Sequence, residues 1–141
     1  MRDRLEQVKV KSIRRGVLDI KYGAGGMLDV YFATRFLQLR DNVPDKGQDR
    51  STLSTLASLK EANSLSTEDY EVLRSGYILL RSADHEQRLL QGRSARLPAP
   101  DHPVMRDIAR KLKYESAVEL IQALAENTAC IRAAYARIIE L

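Results

Sequence analysis

Hydrophobic and polar positions partly alternate early in the chain and then recur at helical steps, and that pattern marks its elements. From Val8 to Lys21 apolar and polar residues partly alternate, in the order Val-Lys-Val-Lys-Ser-Ile-Arg-Arg-Gly-Val-Leu-Asp-Ile-Lys. Alternation belongs to half-buried strands, and Gly16 interrupts it, so the pattern predicts two short strands around a turn. A lone two-stranded hairpin is marginal in water, so this pair needs a surface to lie against. Met27 to about Arg40 is the first strong helix. Met27, Leu28, Val30, Tyr31, Phe32, Phe36, Leu37 and Leu39 cover most of its circumference. A helix apolar nearly all round is expected to be central and buried on more than one side.

Asn42-Val-Pro-Asp-Lys-Gly47 is a loop by its breakers. A second helix is predicted from about Arg50 to Ala62, with Leu53, Leu56, Ala57 and Leu59 as its apolar side. Ser66-Thr-Glu-Asp69 has the form of a capping box and starts a third, long helix running to about Gln91. Tyr70, Leu73, Tyr77 and Leu80 repeat along it at three- and four-residue steps, and the next position on that stripe is Asp84. Gly92 to Pro103 reads as a connection over the surface. Val104 to Lys113 makes a short helix with Asp101 as candidate cap, and Ser116-Ala-Val-Glu119 is a second capping box. The last helix carries Ile121, Leu124, Thr128, Ile131, Tyr135 and Ile138 as a seam for antiparallel packing. The expected fold is all-α, an antiparallel bundle of about five helices with a short β or extended N-terminal element. Residues 1–26 then hold a helix end, the short strands and a glycine loop, and residues 27–141 hold the bundle.

Length adds that 141 residues make one domain with a real core. Cys130 is the single cysteine, so no internal disulfide forms; it is expected as a small buried hydrophobe. No signal-peptide pattern is present, and no apolar run approaches the roughly 20 residues a bilayer requires. A soluble, cytoplasmic setting without membrane contact is expected. Net charge is +4, and Lys9, Lys11, Arg14, Arg15 and Lys21 cluster with only Asp19 among them. A solvated face explains this patch more simply than a nucleic-acid groove, because no aromatic residue is interleaved before Tyr22.

Two stretches are candidates for chemistry. In Asp19-Ile-Lys-Tyr-Gly-Ala-Gly-Gly-Met-Leu-Asp-Val-Tyr-Phe32, an apolar run passes through Gly23, Gly25 and Gly26 into the first helix. Lys21 precedes the loop and Asp29 lies in the helix's first turn. Strand, glycine loop, helix N-terminus and lysine together form the general recipe for an anion site. An ordinary tight strand-to-helix turn is built the same way, and geometry alone favours that reading. In the second stretch, Arg81, Asp84 and Arg88 stand at three- and four-residue steps with His85 beside them, which permits an ion network on one helical face. A plain charged exterior is the alternative. Asp84's place on the apolar stripe argues against it, because a buried carboxylate needs a partner, for which Lys21 and Arg35 are candidates. His85 and His102 share no ligand spacing, so no metal site is expected. Neither a nucleophile elbow nor a phosphate-loop motif occurs.

The first stretch resembles the Asp-x-Lys-x-Gly-x-Gly-Gly-(Ile/Leu)-x-Asp-Ile-Glu-Phe signature of glutamine synthetase adenylyltransferases. Tyr31 to Arg40 resembles the helix leaving that signature, and Ser51 to Leu59 resembles the family's Asn-Thr-Leu-x-Ala-Leu helix. Tyr77 through His85 resembles its Leu-x-Leu-Arg-Arg-x-Glu-His run, and Arg96-Leu-Pro98 falls at its Thr-Leu-Pro. The resemblance covers residues 1–141 in order. It implies a helical domain that follows a nucleotidyltransferase domain and closes over its cleft, an arrangement shared with PII-protein uridylyltransferases. It also implies ATP as donor, Mg²⁺ as helper, and glutamine synthetase and the PII signalling protein as partners. Lys21, Gly23, Gly25 and Gly26 would face the nucleotide, while Asp29 would cap or pair. The family's Gly-Ser and Asp-x-Asp are both absent from the chain, so it is expected to be a fragment, without catalytic residues and inactive alone. Tyr31 stands in place of the family's Glu, and Asp84 replaces another Glu conservatively. Two other readings remain open: a non-catalytic helical module that binds a regulatory protein, and nucleic-acid binding, which predicts steep salt dependence.

Overall fold

The computed structural model describes residues 18–45, 47, 51–92, 96–99 and 101–140. Among these the order is β1 (Leu18–Asp19), α1 (Met27–Asp41), α2 (Thr52–Glu61), α3 (Thr67–Gln91), β2 (Arg96–Leu97), α4 (Pro103–Lys111) and α5 (Ala117–Glu140). The five helices form a bundle, as the spacing of apolar residues predicts. The expected N-terminal hairpin lies largely at residues 8–17, outside the described residues. The described partner of β1 is β2, paired antiparallel with Leu18 opposite Leu97 and Asp19 opposite Arg96. This pairing brings the long connection after α3 back beside the glycine loop, and it buries Leu97 next to a core that also takes Ile20.

Caps set the helix starts. Ser66 Oγ accepts from the Asp69 N–H at 3.1 Å and opens α3. The partner half of that box is diverted, because Asp69 instead takes Arg137 Nη2 at 2.6 Å. At α5, Ser116 Oγ accepts from the Glu119 N–H, and Glu119 Oε2 reaches back to the Glu115 N–H. The cap of α4 differs from expectation. His102 Nδ1, not Asp101, accepts from the Val104 N–H at 3.1 Å, and Pro103 follows at the first helical position, where no N–H is needed.

The long helices α3 and α5 run antiparallel. Arg137 meets Asp69, while Ile131 lies against Gly76 two turns further along α3. A Cβ built at Gly76 would sit 2.7 Å from Ile131 Cδ1, so the helices approach more closely than alanine permits without movement. The α5 seam is buried as predicted at Ile121, Leu124, Thr128, Ile131 and Ile138; Leu120 joins it, and Tyr135 is only half-buried. Cys130 is exposed, contrary to expectation, because it lies on the far side of that seam.

Helix α1 packs against α2, α3 and α5. It is central, but its burial is one-sided. Val30, Ala33, Thr34 and Leu37 form a single buried stripe, whereas Phe32 is 47% and Leu39 85% exposed. Three helices on one side of α1 can cover only one side, so the rest of its apolar circumference faces outward.

The C-terminal end of α1 is tied to the α2–α3 turn. Asp41 receives a fork of hydrogen bonds from Arg40 and another from the Ser64 hydroxyl. The Arg40 bonds, then the Ser64 bond, lower the Asp41 pKa from 3.8 to about 2. A carboxyl depressed on folding adds stability above its unfolded value, and that contribution is lost as pH falls through the folded value. Carboxyl-carbon NMR is therefore expected to show Asp41 titrating near 2. Asp41→Asn should flatten the acid limb of stability between 3.8 and that point, and a midpoint near 3.8 would refute the tie.

Candidate functional site

The glycine loop is closed by its own backbone. Asp19 Oδ1 accepts from the N–H groups of Lys21 (3.1 Å) and Tyr22 (2.8 Å), and Asp19 O accepts from Gly23. Gly26 N–H donates to Gly23 O, Met27 N–H to Ile20 O and Leu28 N–H to Lys21 O. Gly25 stands at φ +76°, in the left-handed region, and its N–H donates to Asp29 Oδ2 at 2.6 Å. Gly26 has ordinary backbone angles, but a Cβ there would meet three carbonyl oxygens within 3.0 Å. The glycines thus make a tight turn whose N–H groups are spent inside the chain. They fix where Lys21 stands, since its N–H and its carbonyl are both held within the turn.

Asp29 closes the other side of the turn. Besides the Gly25 bond, its Oδ2 meets Arg132 Nη1 of α5 at 3.1 Å, a pair 103 residues apart in sequence. The carboxylate caps and pairs, and it locks the loop to the bundle. Arg132 drew no attention in the sequence; it flanks the α5 seam, and nothing in its spacing points across the fold.

Beside this loop lies a cleft of about 410 Å³, bounded by Lys21, the first turns of α1, Thr52 at the start of α2 and the middle of α3. Lys21, Arg81 and Arg88 bring three cations to it, with Asp84 and His85 between them. The glycines and Asp29 do not line it. The two stretches singled out in the sequence therefore meet at this cleft, the first through Lys21, Met27, Leu28 and Tyr31 and the second through the α3 run.

The α3 run is not a closed network. Asp84 Oδ2 pairs with Arg88 Nε at 3.1 Å, one turn away. Neither expected partner serves it: Lys21 Nζ lies 5.4 Å from the Tyr22 ring centre, and Arg35 is engaged by Asp45 and Gln38. The i, i+4 spacing on one helix supplies the charge locally, without a long-range reach. Among the described residues, Lys21 and Arg81 have no carboxylate partner. Asp84 is only 7% exposed, and its second oxygen, Oδ1, is buried with no hydrogen-bond partner among the described residues. Tyr31 and Tyr77 add flat walls to the cleft. Sequence reasoning placed Tyr77 on the core stripe; it is half-buried there because the stripe opens onto the cleft.

Three cations facing one carboxylate already bound to one of them leave a positive field suited to a polyanion such as a phosphate chain. Fold and site together define a helical domain with a cation-lined cleft at the mouth of a glycine turn. The family model described as GlnD PII-uridylyltransferase matches residues 1–139, and the chain belongs to that family. It is similar to the bifunctional glutamine synthetase adenylyltransferase/adenylyl-removing enzyme of Acinetobacter baylyi, at 27% identity over 142 residues. The enzyme of the same description from Mycobacterium bovis is 34% identical over 113 residues, or 78% of this chain. The chain spans 15% and 11% of the lengths of these two relatives. No described helix is long and apolar enough to cross a membrane.

Proposed function

We propose that this chain is the helical partner of a nucleotidyltransferase catalytic domain, in a cytoplasmic enzyme that attaches AMP to glutamine synthetase or removes it. The observation that carries this reading is the meeting of the signature's Lys21 with Arg81 and Arg88 in one cleft. In this role the three cations hold the phosphates of ATP and neutralise charge as it moves toward the leaving group, which is most of what phosphoryl-type transfer asks of a protein. Glutamine synthetase and the PII signalling protein are the proposed partners. Mg²⁺ accompanies the nucleotide in this reading. No three His, Cys, Asp or Glu side chains converge among the described residues, and Asp29 and Asp84 each bind an arginine. The described residues do not fit the ion, and its ligands are assigned to the catalytic domain.

The test is Lys21→Ala in the enzyme at its full natural length. Nucleotide affinity and transfer rate should fall about tenfold or more, with unfolding unchanged, since removal of a phosphate-directed cation costs transition-state stabilisation rather than packing. Unaltered affinity and rate would sink the reading.

A second reading, a non-catalytic helical module for a regulatory protein, is favoured by the outward face of α1, where Phe32 and Leu39 stand exposed one heptad apart. Titration of the chain with ATP and Mg²⁺, against titration with PII protein, separates the two. Partner binding without any nucleotide binding selects the module.

A further inference from the structure

The cleft's cations account for phosphate, but they leave Asp84 unexplained. A carboxylate inside a site for a polyanion repels that ligand, and burying it costs several kcal/mol unless it is compensated. Arg88 compensates one oxygen. The other, Oδ1, is buried and lacks a donor among the described residues. Such an atom is a demand for an N–H or O–H, and a phosphate chain at neutral pH offers neither.

Position narrows the donor further. Asp84 lies on α3 between Arg81, three residues before it, and Arg88, four residues after it. The two arginines are exposed and Asp84 is buried, and all three line the cleft. Apolar and aromatic groups, Met27, Leu28, Tyr31 and Tyr77, share the wall. Exposed cations beside an apolar wall with one buried acceptor match a molecule with a polyanionic end and a flat end bearing a hydrogen-bond donor. A nucleotide is that molecule.

The geometry points to Asp84 Oδ1 as the subsite for the nucleoside half of the nucleotide, accepting one hydrogen bond from it while Lys21, Arg81 and Arg88 hold its phosphates. This rests on the nucleotide reading above and deepens it. The donor's chemistry, a single N–H or O–H, is shared by the ribose hydroxyls and by a base's exocyclic amine. Oδ2 is committed to Arg88, so the donor goes to Oδ1.

The experiment measures affinities of the full-length enzyme for ATP, its 2′-deoxy and 3′-deoxy analogues, purine riboside 5′-triphosphate (which lacks the amine), and tripolyphosphate. One of the three single-donor deletions should weaken binding roughly ten- to a hundredfold, the cost of leaving a charged acceptor unpaired. The deoxy analogues mark a ribose donor and the purine analogue marks the amine. Asp84→Asn should erase that discrimination to within about twofold. Its amide oxygen turns to Arg88 and its NH₂ faces the ligand, donor against donor. Asp84→Ala, followed alongside by circular dichroism, repeats the test without an amide.

Equal affinity for all four nucleotides would overturn the subsite, as would discrimination surviving both substitutions. Tripolyphosphate bound as tightly as ATP would overturn it too, while leaving the phosphate site standing. No binding of either ATP or tripolyphosphate would overturn the nucleotide reading, and the subsite with it.

Discussion

Gly26→Ala is expected to cost about 2–4 kcal/mol of folding stability. The backbone at Gly26 has φ −81°, open to any residue, so the cost is one of space. The new Cβ would lie 2.8 Å from Ile20 O, 2.9 Å from Gly23 O and 3.0 Å from Lys21 O. Two of those carbonyls, Ile20 O and Lys21 O, accept the first N–H groups of α1, from Met27 and Leu28, and the third accepts from Gly26 itself. They cannot retreat without breaking bonds that close the turn. Gly47→Ala is the matched control: φ is +59°, but nothing lies within 4 Å of its Cβ. Its penalty is only that of a left-handed alanine, about 1 kcal/mol. Urea denaturation of both variants gives the comparison. A Gly26→Ala cost at or below that of Gly47→Ala would show that the turn is looser than its hydrogen bonds indicate. Nucleotide affinity should fall in step with Gly26→Ala, because the turn is what holds Lys21 at the cleft.

Leu80→Ala is expected to cost about 3 kcal/mol, within the range for emptying a fully buried leucine site, and to lower the melting temperature by roughly 10 °C. Leu80 has no exposed surface and stands one turn before Asp84 on α3. Its neighbour Arg81 is exposed and lines the cleft. Arg81→Ala should therefore do the reverse, leaving stability within about 0.5 kcal/mol while weakening nucleotide binding. Adjacent positions would thus separate the core of the bundle from its site. Thermal melts and a nucleotide titration on the two variants decide it; a stable Leu80→Ala, or an Arg81→Ala that melts early, would contradict the division.

Much of this was legible from local pattern. The long helices showed in their three- and four-residue steps because a helix must bury one stripe, and Leu73, Leu80, Leu124 and Ile131 are indeed buried. Ser66 and Ser116 announced their helices because a cap is a contact between residues three apart. The same locality misled at α4, where Asp101 and His102 are both able to accept and the backbone turn chose His102. The family, too, was written in the order and spacing of the motifs, and the match to residues 1–139 agrees with them.

The sequence by itself determined the helices, the family and the residue types at the glycine turn, because these depend on contacts within a few positions of the chain. Only the tertiary structure decided which side of α1 is covered, that β1 pairs with Arg96–Leu97, and that Asp29 binds Arg132 on another helix. It also decided how the glycine signature is closed. Read locally, three glycines before a helix suggest an anion held on backbone N–H groups. In the folded chain those groups are already bonded to one another's carbonyls and to two aspartates, and the positive charge reaches the cleft through side chains from two separate stretches. Long-range pairing has no period in a sequence, so the partner of Asp29 and the cleft that Lys21 shares with Arg81 and Arg88 became visible only when the helices were packed.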